Sequence, residues 1–566
     1  MTEAPRNLLT VWADRLLDAL AAAGITDVVA SPGSRSTPYL LAASRRADLT
    51  IHSVIDERAA GFFALGMARV TGRPPLLLCT SGTAPAHYYP AVIEASEAAI
   101  PLVILSADRP LALRGRGAPQ TTDQVDLYGR HARHACDLGD PAPTDDALRG
   151  LVGAATRAVE RALGPVPGPV QINAPAQKPL EPVAAETADE HDLVERAARV
   201  SVAPIARSAI ELDAASLAPI RDALARAERP ALVAGPLPVD APREAILDFL
   251  RRTGITLFAE AGSQLRFGPR PGVRAADSFE WWLDRQHPDV ILEIGATPTT
   301  GRYLRWLDAG PPARRFVLGG DRFRDPSGTA AAVVLGDLGA IVGALADDAD
   351  RSAPFEAIEA RTWARLDATL GDALTEATAV RRVLERLDDG ALVALGNSLP
   401  IRHADRYVRG GGARRRVITQ RGVNGIDGWV AASAGAAAAT GEPLVTLIGD
   451  VTFAHDVGAL SLAARAATPL VFVVLDNGGG RIFEQLPVAE AGVDMALFTT
   501  PSGVDAVAAA RAFGVAAADV TDLGGLDAAL DEALARHGAT VLRCVVDPSG
   551  ARDQVRAVRA ALEAAS

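Results

Sequence analysis

Short β-rich apolar runs recur along the whole chain with helical stretches between them, and this alternation constrains the fold more than any other feature. In the first third the runs are Asp27–Ala30, Ile51–Ile55, Leu76–Thr80, Leu102–Ser106 and Val170–Asn173. Leu8, Leu9, Trp12, Leu16 and Leu20 precede them at helical spacing. The middle third carries Ala231–Ala234, Thr256–Ala259, Val290–Ile294 and Phe316–Leu318. The last third carries Leu392–Leu395, Val417–Thr419, Leu444–Ile448, Val471–Leu475 and Val541–Val546. A polar stretch over Ala184–Arg196 lacks clear periodicity and reads as a linker. A charged segment over Arg351–Glu376 reads as helical. The pattern predicts an α/β protein with three parallel-sheet domains, over residues 1–185, 200–350 and 375–566.

The remaining bulk features narrow the function. The chain has 566 residues, of which 49% are hydrophobic, enough for several buried cores. No apolar run approaches the roughly 20 residues of a membrane span. The start, MTEAPRNLLT, lacks the basic and apolar parts of a secretory signal. A cytoplasmic protein is expected. The net charge of −12 argues against a nucleic-acid partner. Cys79, Cys136 and Cys544 lie far apart, form no metal-ligand spacing, and imply no disulfide framework; Cys79 and Cys544 sit in apolar runs. Lys178 is the single lysine, in a Pro-flanked segment. Neither a Schiff-base lysine nor a P-loop lysine is therefore available.

In parallel sheets, ligands gather at the carboxyl ends of strands. The loops to watch are SPGSRSTP, DER, TSGTA, SADRP, GNS, QRG, GDVTF and DNGGG. Leu444–Ile448 runs into Gly449-Asp450, and Val471–Leu475 runs into Asp476-Asn477 and three glycines. Asp450 and Asn477 are 27 residues apart, about one helix and one strand, so both emerge at one sheet edge. A carboxylate, an amide oxygen and a nearby carbonyl suit Mg²⁺. The glycines let backbone approach a diphosphate closely, and the helix after Asp450 can turn its N-terminus to the anion. Taken singly, each piece reads equally as a turn after a strand. Ile51–Ile55 ends in Asp56-Glu57-Arg58 before an apolar small-residue helix. A carboxylate placed there can be desolvated and its pKa raised; seen alone, it reads equally as a helix-capping acid.

Eight segments together carry a resemblance. They are SPGSRSTP (Ser31–Pro38), DERAAGFFALGMAR (Asp56–Arg69), CTSGTAPAHYYPAVIEA (Cys79–Ala95), SADRP (Ser106–Pro110), GNSLPIRHAD (Gly396–Asp405), RGVNGIDG (Arg421–Gly428), GDVTFAHD (Gly449–Asp456) and GGGRIFEQLP (Gly478–Pro487). They closely resemble the 2-succinyl-5-enolpyruvyl-6-hydroxy-3-cyclohexene-1-carboxylate (SEPHCHC) synthase family of menaquinone biosynthesis, within the thiamine-diphosphate superfamily. The match covers both outer domains in order; the middle domain matches in pattern.

The resemblance implies the thiamine-diphosphate-binding, pyruvate-oxidase-like architecture. It makes residues 1–185 a pyrimidine-binding domain, 200–350 a central Rossmann-like domain and 375–566 a diphosphate-binding domain. It implies thiamine diphosphate with Mg²⁺, or Mn²⁺ as a substitute, held by Asp450, Asn477 and the carbonyl of Gly479. Gly449, Ile482 and Glu57 would join the cofactor site, and Glu57 would share a proton with the aminopyrimidine ring. Val451 and Asp476 depart from the common motif at positions that do not ligate metal. The implied reaction decarboxylates 2-oxoglutarate and adds the resulting succinyl carbanion equivalent to isochorismate. Ser34, Arg35, Arg109, Gln120, Ser398, Arg402 and Arg421 would bind substrate carboxylates and hydroxyls. Arginine is abundant in this chain, so any one of them also reads as a solvated surface residue. Ile482, Phe483 and Leu486 would form an apolar wall, with plain core as the other reading of Phe483. Pro119, Arg302 and Ser502 depart from the family pattern. His87, His131, His134, His403 and His455 show no defined partner and read as mostly structural, His455 least so. In this superfamily the two outer domains meet across a subunit interface, which implies a homodimer or homotetramer. The competing readings are an acetohydroxyacid-synthase-like carboligase or 2-oxoacid decarboxylase, and a non-catalytic binding protein that kept the fold.

Overall fold

A computed structural model describes residues 6–197, 212–310, 313–349 and 351–564. The start of the N-terminal stretch read above, at residues 1–5, lies outside the described residues, as do the expected domain limits at 200, 350 and 566. The chain forms two compact units. The first holds Met1–Ser208, Gly422–Asn424 and Val430–Thr440; the second holds the rest.

The first unit is built on a six-stranded, wholly parallel sheet. Its strands are β1 (Asp27–Ser31), β2 (Thr50–Ser53), β3 (Leu76–Cys79), β4 (Leu102–Asp108), β5 (His134–Asp137) and β6 (Pro169–Pro175), in the order β2-β1-β3-β4-β6-β5. The helix Leu8–Ala22 covers one face and buries Leu9, Trp12, Leu16 and Leu20, as the spacing predicts. Asn7 caps it, its side-chain oxygen accepting from the Thr10 N–H at 2.9 Å. The helix Glu57–Thr71 buries an unbroken run from Ala59 to Ala68. A Cβ on its Gly66 would lie 1.9 Å from the carbonyl oxygen of Ala432, and a Cβ on Gly435 would lie 2.0 Å from that of Phe63. The helix Trp429–Thr440 therefore packs backbone against backbone there, which only glycine permits. A second tie is Glu94, wholly buried. It accepts from the consecutive N–H groups of Gly422, Val423 and Asn424 at 2.7–3.0 Å and from Arg69 at 2.9 Å.

The second unit holds two further parallel sheets. The five-stranded one has β7 (Pro230–Ala234), β8 (Thr256–Ala259), β9 (Val290–Ile294), β10 (Arg314–Leu318) and β11 (Ala330–Val334), ordered β11-β10-β9-β7-β8. The six-stranded one has β12 (Ala391–Leu395), β13 (Arg415–Ile418), β14 (Leu444–Gly449), β15 (Leu470–Asp476), β16 (Ala516–Val520) and β17 (Ala539–Val545). Its order, β13-β12-β14-β15-β17-β16, repeats that of the first sheet strand for strand. In each six-stranded sheet the winding reverses between the first and third strands. That crevice is where α/β sheets bind ligands.

Three expectations change. The stretch read as a linker becomes a helix from Ala188 to Ala197. Thr187 and Glu190 cap it reciprocally, and Leu193 buries completely. The second strand ends at Ser53, so Ile55 stands in the following loop, 89% exposed. β5, β11 and β16 were not anticipated; all three are sheet edges with mostly half-buried residues. Among the described residues no helix is long and apolar enough to cross a membrane.

Candidate active site

β14 and β15 pair in register, Gly449 opposite Leu475, so the residues that follow both strands leave at one edge. Asp450 begins the helix Asp450–His455 and is 8% exposed. Burial, followed by the nearby negative charge of Asp476, pushes its carboxyl up to about 6, although the N–H groups of Val451 and Gly479 work against that rise. Asn477 is buried; its Nδ2 donates to Glu376 Oε1 at 2.8 Å. Its Oδ1 has no hydrogen-bond partner among the described residues. A buried acceptor left unpaired costs roughly 1–3 kcal/mol, which a cation would relieve. Gly479 adopts φ +128°, and a Cβ there would meet the Thr499 carbonyl oxygen at 2.3 Å. Its own carbonyl accepts from the Arg481 N–H at 2.8 Å and keeps a second lone pair.

Among the described residues, no three His, Cys, Asp or Glu side chains cluster as a metal site. The available donors are instead a carboxylate, an amide oxygen and a carbonyl, the chemistry of a hard divalent cation that keeps positions for phosphate. Asp450, Asn477 and Gly479 thus come together, with Gly449 beside them at the end of β14. A hard divalent cation holding a diphosphate fits these residues.

Glu57 opens its helix and is half-buried. Capping is done by Asp56, whose carboxylate accepts from Arg58 N–H at 2.8 Å and from Ala59 N–H at 3.4 Å. The helix start is therefore satisfied without Glu57. The charge of Glu57 reaches Cys79 and Tyr88, so it stands near the end of β3; burial first, and that charge among lesser causes, raises both groups.

The arginines gather in two sets, one in each unit. In the first unit Arg35 sits on the turn after β1 and is 4% exposed. Its backbone N–H donates to Thr80 Oγ1 at 3.3 Å, and its guanidinium donates to the Ala176 carbonyl. Arg109 follows β4 and donates to Gln120 Oε1 at 3.4 Å. Burial, then the adjacent Arg109, pulls Arg35 below its ordinary value. The Nε of each arginine is buried without a partner. Gln120 adopts φ +52° and accepts Ser81 Oγ through its carbonyl at 3.1 Å. Ser34 and Gln120 are exposed at the rim.

In the second unit Ser398 adopts φ +70°, ψ −125°, a conformation that a side chain rarely takes. Its carbonyl accepts from Arg402 at 2.6 Å. Burial, then Arg421 and Arg406, lowers Arg402. Arg421 donates to Asn397 Oδ1 at 3.3 Å, and its Nε is buried without a partner. Asn397 Nδ2 donates to the carbonyls of Gln420 and Gly425, each at 2.8 Å, and so binds the loop after β12 to the loop after β13. Both sets hold like charges together with N–H donors to spare, as carboxylate sites do.

Ile482 and Phe483 are half-buried on the turn Arg481–Gln485, and Leu486 is 43% exposed. Phe483 is thus not core; its ring meets Phe498 at 5.7 Å. Arg302 is occupied by the Trp281 carbonyl and Asp284. Ser502 is exposed and accepts the Val504 N–H.

Two histidines have carboxylate neighbours that were not foreseen. His455 Nε2 lies 3.3 Å from Asp427, and His403 Nε2 lies 3.4 Å from Glu376 without a hydrogen bond. Sequence reasoning also passed over Glu376, Asn397 and Glu260. Glu376 sits in the first turn of a helix capped by Thr375, where an acid reads as a helix-dipole residue. Glu260 is buried, accepts from Thr299 and Thr300 N–H at 2.8 and 2.7 Å, and feels the charge of Arg421. Asn397 carried a signal, since its loop follows a predicted strand.

Comparison with known proteins points to thiamine diphosphate as the cofactor. Residues 11–127 match the family described as thiamine pyrophosphate enzyme, N-terminal TPP binding domain, and residues 402–544 match its C-terminal TPP binding domain. A SEPHCHC synthase of Sorangium cellulosum is 42% identical, over 96% of this chain and 93% of the relative. Those of Halobacterium salinarum and Geobacillus kaustophilus are each 38% identical, covering 97% and 90% of this chain and the same shares of their own lengths. Among solved structures, benzoylformate decarboxylase from Polynucleobacter necessarius superposes with a TM-score of 0.73 at 18% identity, covering 96% of this chain and 99% of that one. A thiamine-diphosphate-dependent 4-hydroxybenzoylformate decarboxylase of Rhodococcus jostii gives 0.72 at 20% identity, covering 95% and 99%. Those two likenesses show the pyruvate-oxidase-like fold alone. With full-length relatives of one name and oxygen donors and arginines on the loops of both outer sheets, this chain belongs to the SEPHCHC synthase family, thiamine-diphosphate-dependent transferases of menaquinone biosynthesis.

Proposed function

We propose that this enzyme decarboxylates 2-oxoglutarate and adds the resulting succinyl carbanion equivalent to isochorismate, releasing CO₂ and forming SEPHCHC. The observation that carries the substrate choice is the pair of arginine sets, Arg35 with Arg109 and Arg402 with Arg421. Each sets partly buried guanidiniums side by side with an unpaired Nε. Two dicarboxylate substrates require such sites, and a small neutral aldehyde does not.

When bound, thiamine diphosphate supplies the carbanion and the electron sink. Asp450, Asn477 Oδ1 and the Gly479 carbonyl would hold its Mg²⁺, with Mn²⁺ as a substitute, and Gly449 would let the diphosphate approach. Glu57 would hold the proton exchanged with the aminopyrimidine ring, a role left open to it because Asp56 does the capping. Arg35, Arg109, Arg402 and Arg421 would bind and orient carboxylates. Ser34, Gln120 and Ser398 would reach hydroxyls, and Ile482, Phe483 and Leu486 would keep water from the reacting carbon. Residues 1–185, 200–350 and 375–566 serve as the pyrimidine-binding, central and diphosphate-binding domains.

A homodimer, alone or paired into a tetramer, accompanies this reading. Ile55, two residues from Glu57, is 89% exposed, and a second copy would cover it. The enzyme would work in the cytoplasm.

Incubation with 2-oxoglutarate, isochorismate, Mg²⁺ and thiamine diphosphate tests the proposal. Isochorismate should be consumed one for one with CO₂ release. Consumption of pyruvate while isochorismate stays intact would replace this substrate assignment with that of an acetohydroxyacid-synthase-like carboligase.

A further inference from the structure

Beyond the three oxygen donors, a fourth side chain bears on the metal site. Glu376 is 3% exposed and comes from the helix Glu376–Arg386, about a hundred residues before Asn477 in the chain. Its Oε1 accepts from Asn477 Nδ2 at 2.8 Å, and its Oε2 lies 3.4 Å from Nε2 of the wholly buried His403. Tyr407 stacks on that histidine, with ring centroids 5.7 Å apart.

An asparagine side chain has two ends of equal size and opposite polarity. Turned one way Asn477 offers an oxygen to a cation; turned the other way it offers an N–H, which repels one. Neither size nor packing separates the two rotamers. A buried acceptor facing one end does, because only Nδ2 can donate to it. The Oδ1 end is then left without a partner.

From this geometry we infer that Glu376 is a positioning residue for metal binding: it fixes the amide orientation of Asn477 so that Oδ1 faces the cation. The inference rests on the reading of Asp450, Asn477 and Gly479 as metal ligands. Groups behind metal ligands typically change affinity by roughly 10–100-fold when removed.

The test measures thiamine-diphosphate binding to the full-length apoenzyme by calorimetry across a Mg²⁺ series, with thermal melts of each apo variant alongside. Glu376→Ala should raise the Mg²⁺ needed for half-saturation about 10-fold or more. Glu376→Gln should stay close to wild type, since its Oε1 still accepts from Asn477. Asn477→Asp would set an acceptor against the Glu376 acceptor and bind weakly. The double variant Asn477→Asp with Glu376→Gln should recover, because the new amide can donate. Loss of a merely structural residue would lower the melting temperature without this pattern of rescue.

If wild-type binding ignores Mg²⁺, the metal-site reading itself fails. If wild type needs Mg²⁺ but Glu376→Ala needs no more, the positioning role is overturned and the metal site stands. Should Glu376→Ala not fold, the pair Asn477→Asp and its double variant decides: no recovery in the double variant overturns the inference.

Discussion

The loops over β1 and β4 and the loops over β14 and β15 make an instructive pair. The two sheets share one strand order, yet their loops are electrical opposites. Over the first sheet, Arg35 and Arg109 are held together, and burial with their mutual repulsion lowers Arg35. Over the third, Asp450 and Asp476 are held together, and burial with their repulsion raises Asp450. One region keeps unpaired donors and the other an unpaired acceptor. Like charges are crowded and desolvated at functional sites where a ligand of opposite sign completes the arrangement. The contrast teaches that the scaffold decides where a ligand goes and the loop residues decide its charge.

That division can be broken or sharpened by substitution. The largest effect is expected at Glu57, which belongs to neither charged set. Glu57→Gln should cut kcat about 10²–10⁴-fold, with diphosphate affinity unchanged in a calorimetric titration; full turnover would remove its proposed role. Asp450→Ala comes next. It should weaken cofactor binding and let saturating cofactor restore part of the rate, while substrate KM stays put. Arg109→Ala should do the reverse, raising the KM of one carboxylate substrate roughly 10–100-fold for a charged hydrogen bond worth about 1.5–3 kcal/mol. Equal loss of cofactor affinity in that variant would erase the distinction between cation-binding and anion-binding loops. Leu486→Ala should be mildest. Its side chain is 43% exposed, so a thermal melt should register less than about 0.5 kcal/mol, with steady-state kinetics changing only a few-fold.

What could be read beforehand follows a physical divide. Interior strands such as β4, β6 and β15 are buried over nearly their whole length, and their apolar runs announce them. β5, β11 and β16 pair on one side only; β5 and β16 carry polar residues such as His134 and Asp519, and β11 opens on three alanines, which mark a strand poorly. The early ending of β2 belongs to the same class, since an edge strand is not held in the sheet by apolar composition. The site divides likewise. Asp450 and Asn477 stand at the ends of consecutive strands, so sequence order alone brings them together. Arg35 and Arg109 follow β1 and β4, which β3 separates in the sheet, so the strand ends mark each residue but not their meeting. Glu376 approaches Asn477 from a helix far back in the chain, and nothing local to either residue records the meeting. The carboxylate neighbours of His403 and His455 were hidden for that reason too.

The three amide hydrogens that Glu94 collects carry a lesson for dissecting the molecule. They belong to residues 422–424, and the helix that seats against Gly66 is Trp429–Thr440. A fragment stopped at residue 208 would keep its six strands but strand a buried carboxylate with Arg69 as its remaining donor of the four described here, and bare the groove along Gly66. The N-terminal third is thus not complete within its own stretch of chain. It reaches its final form only after the ribosome has delivered a stretch more than two hundred residues downstream, so its last closing step is late in synthesis rather than early.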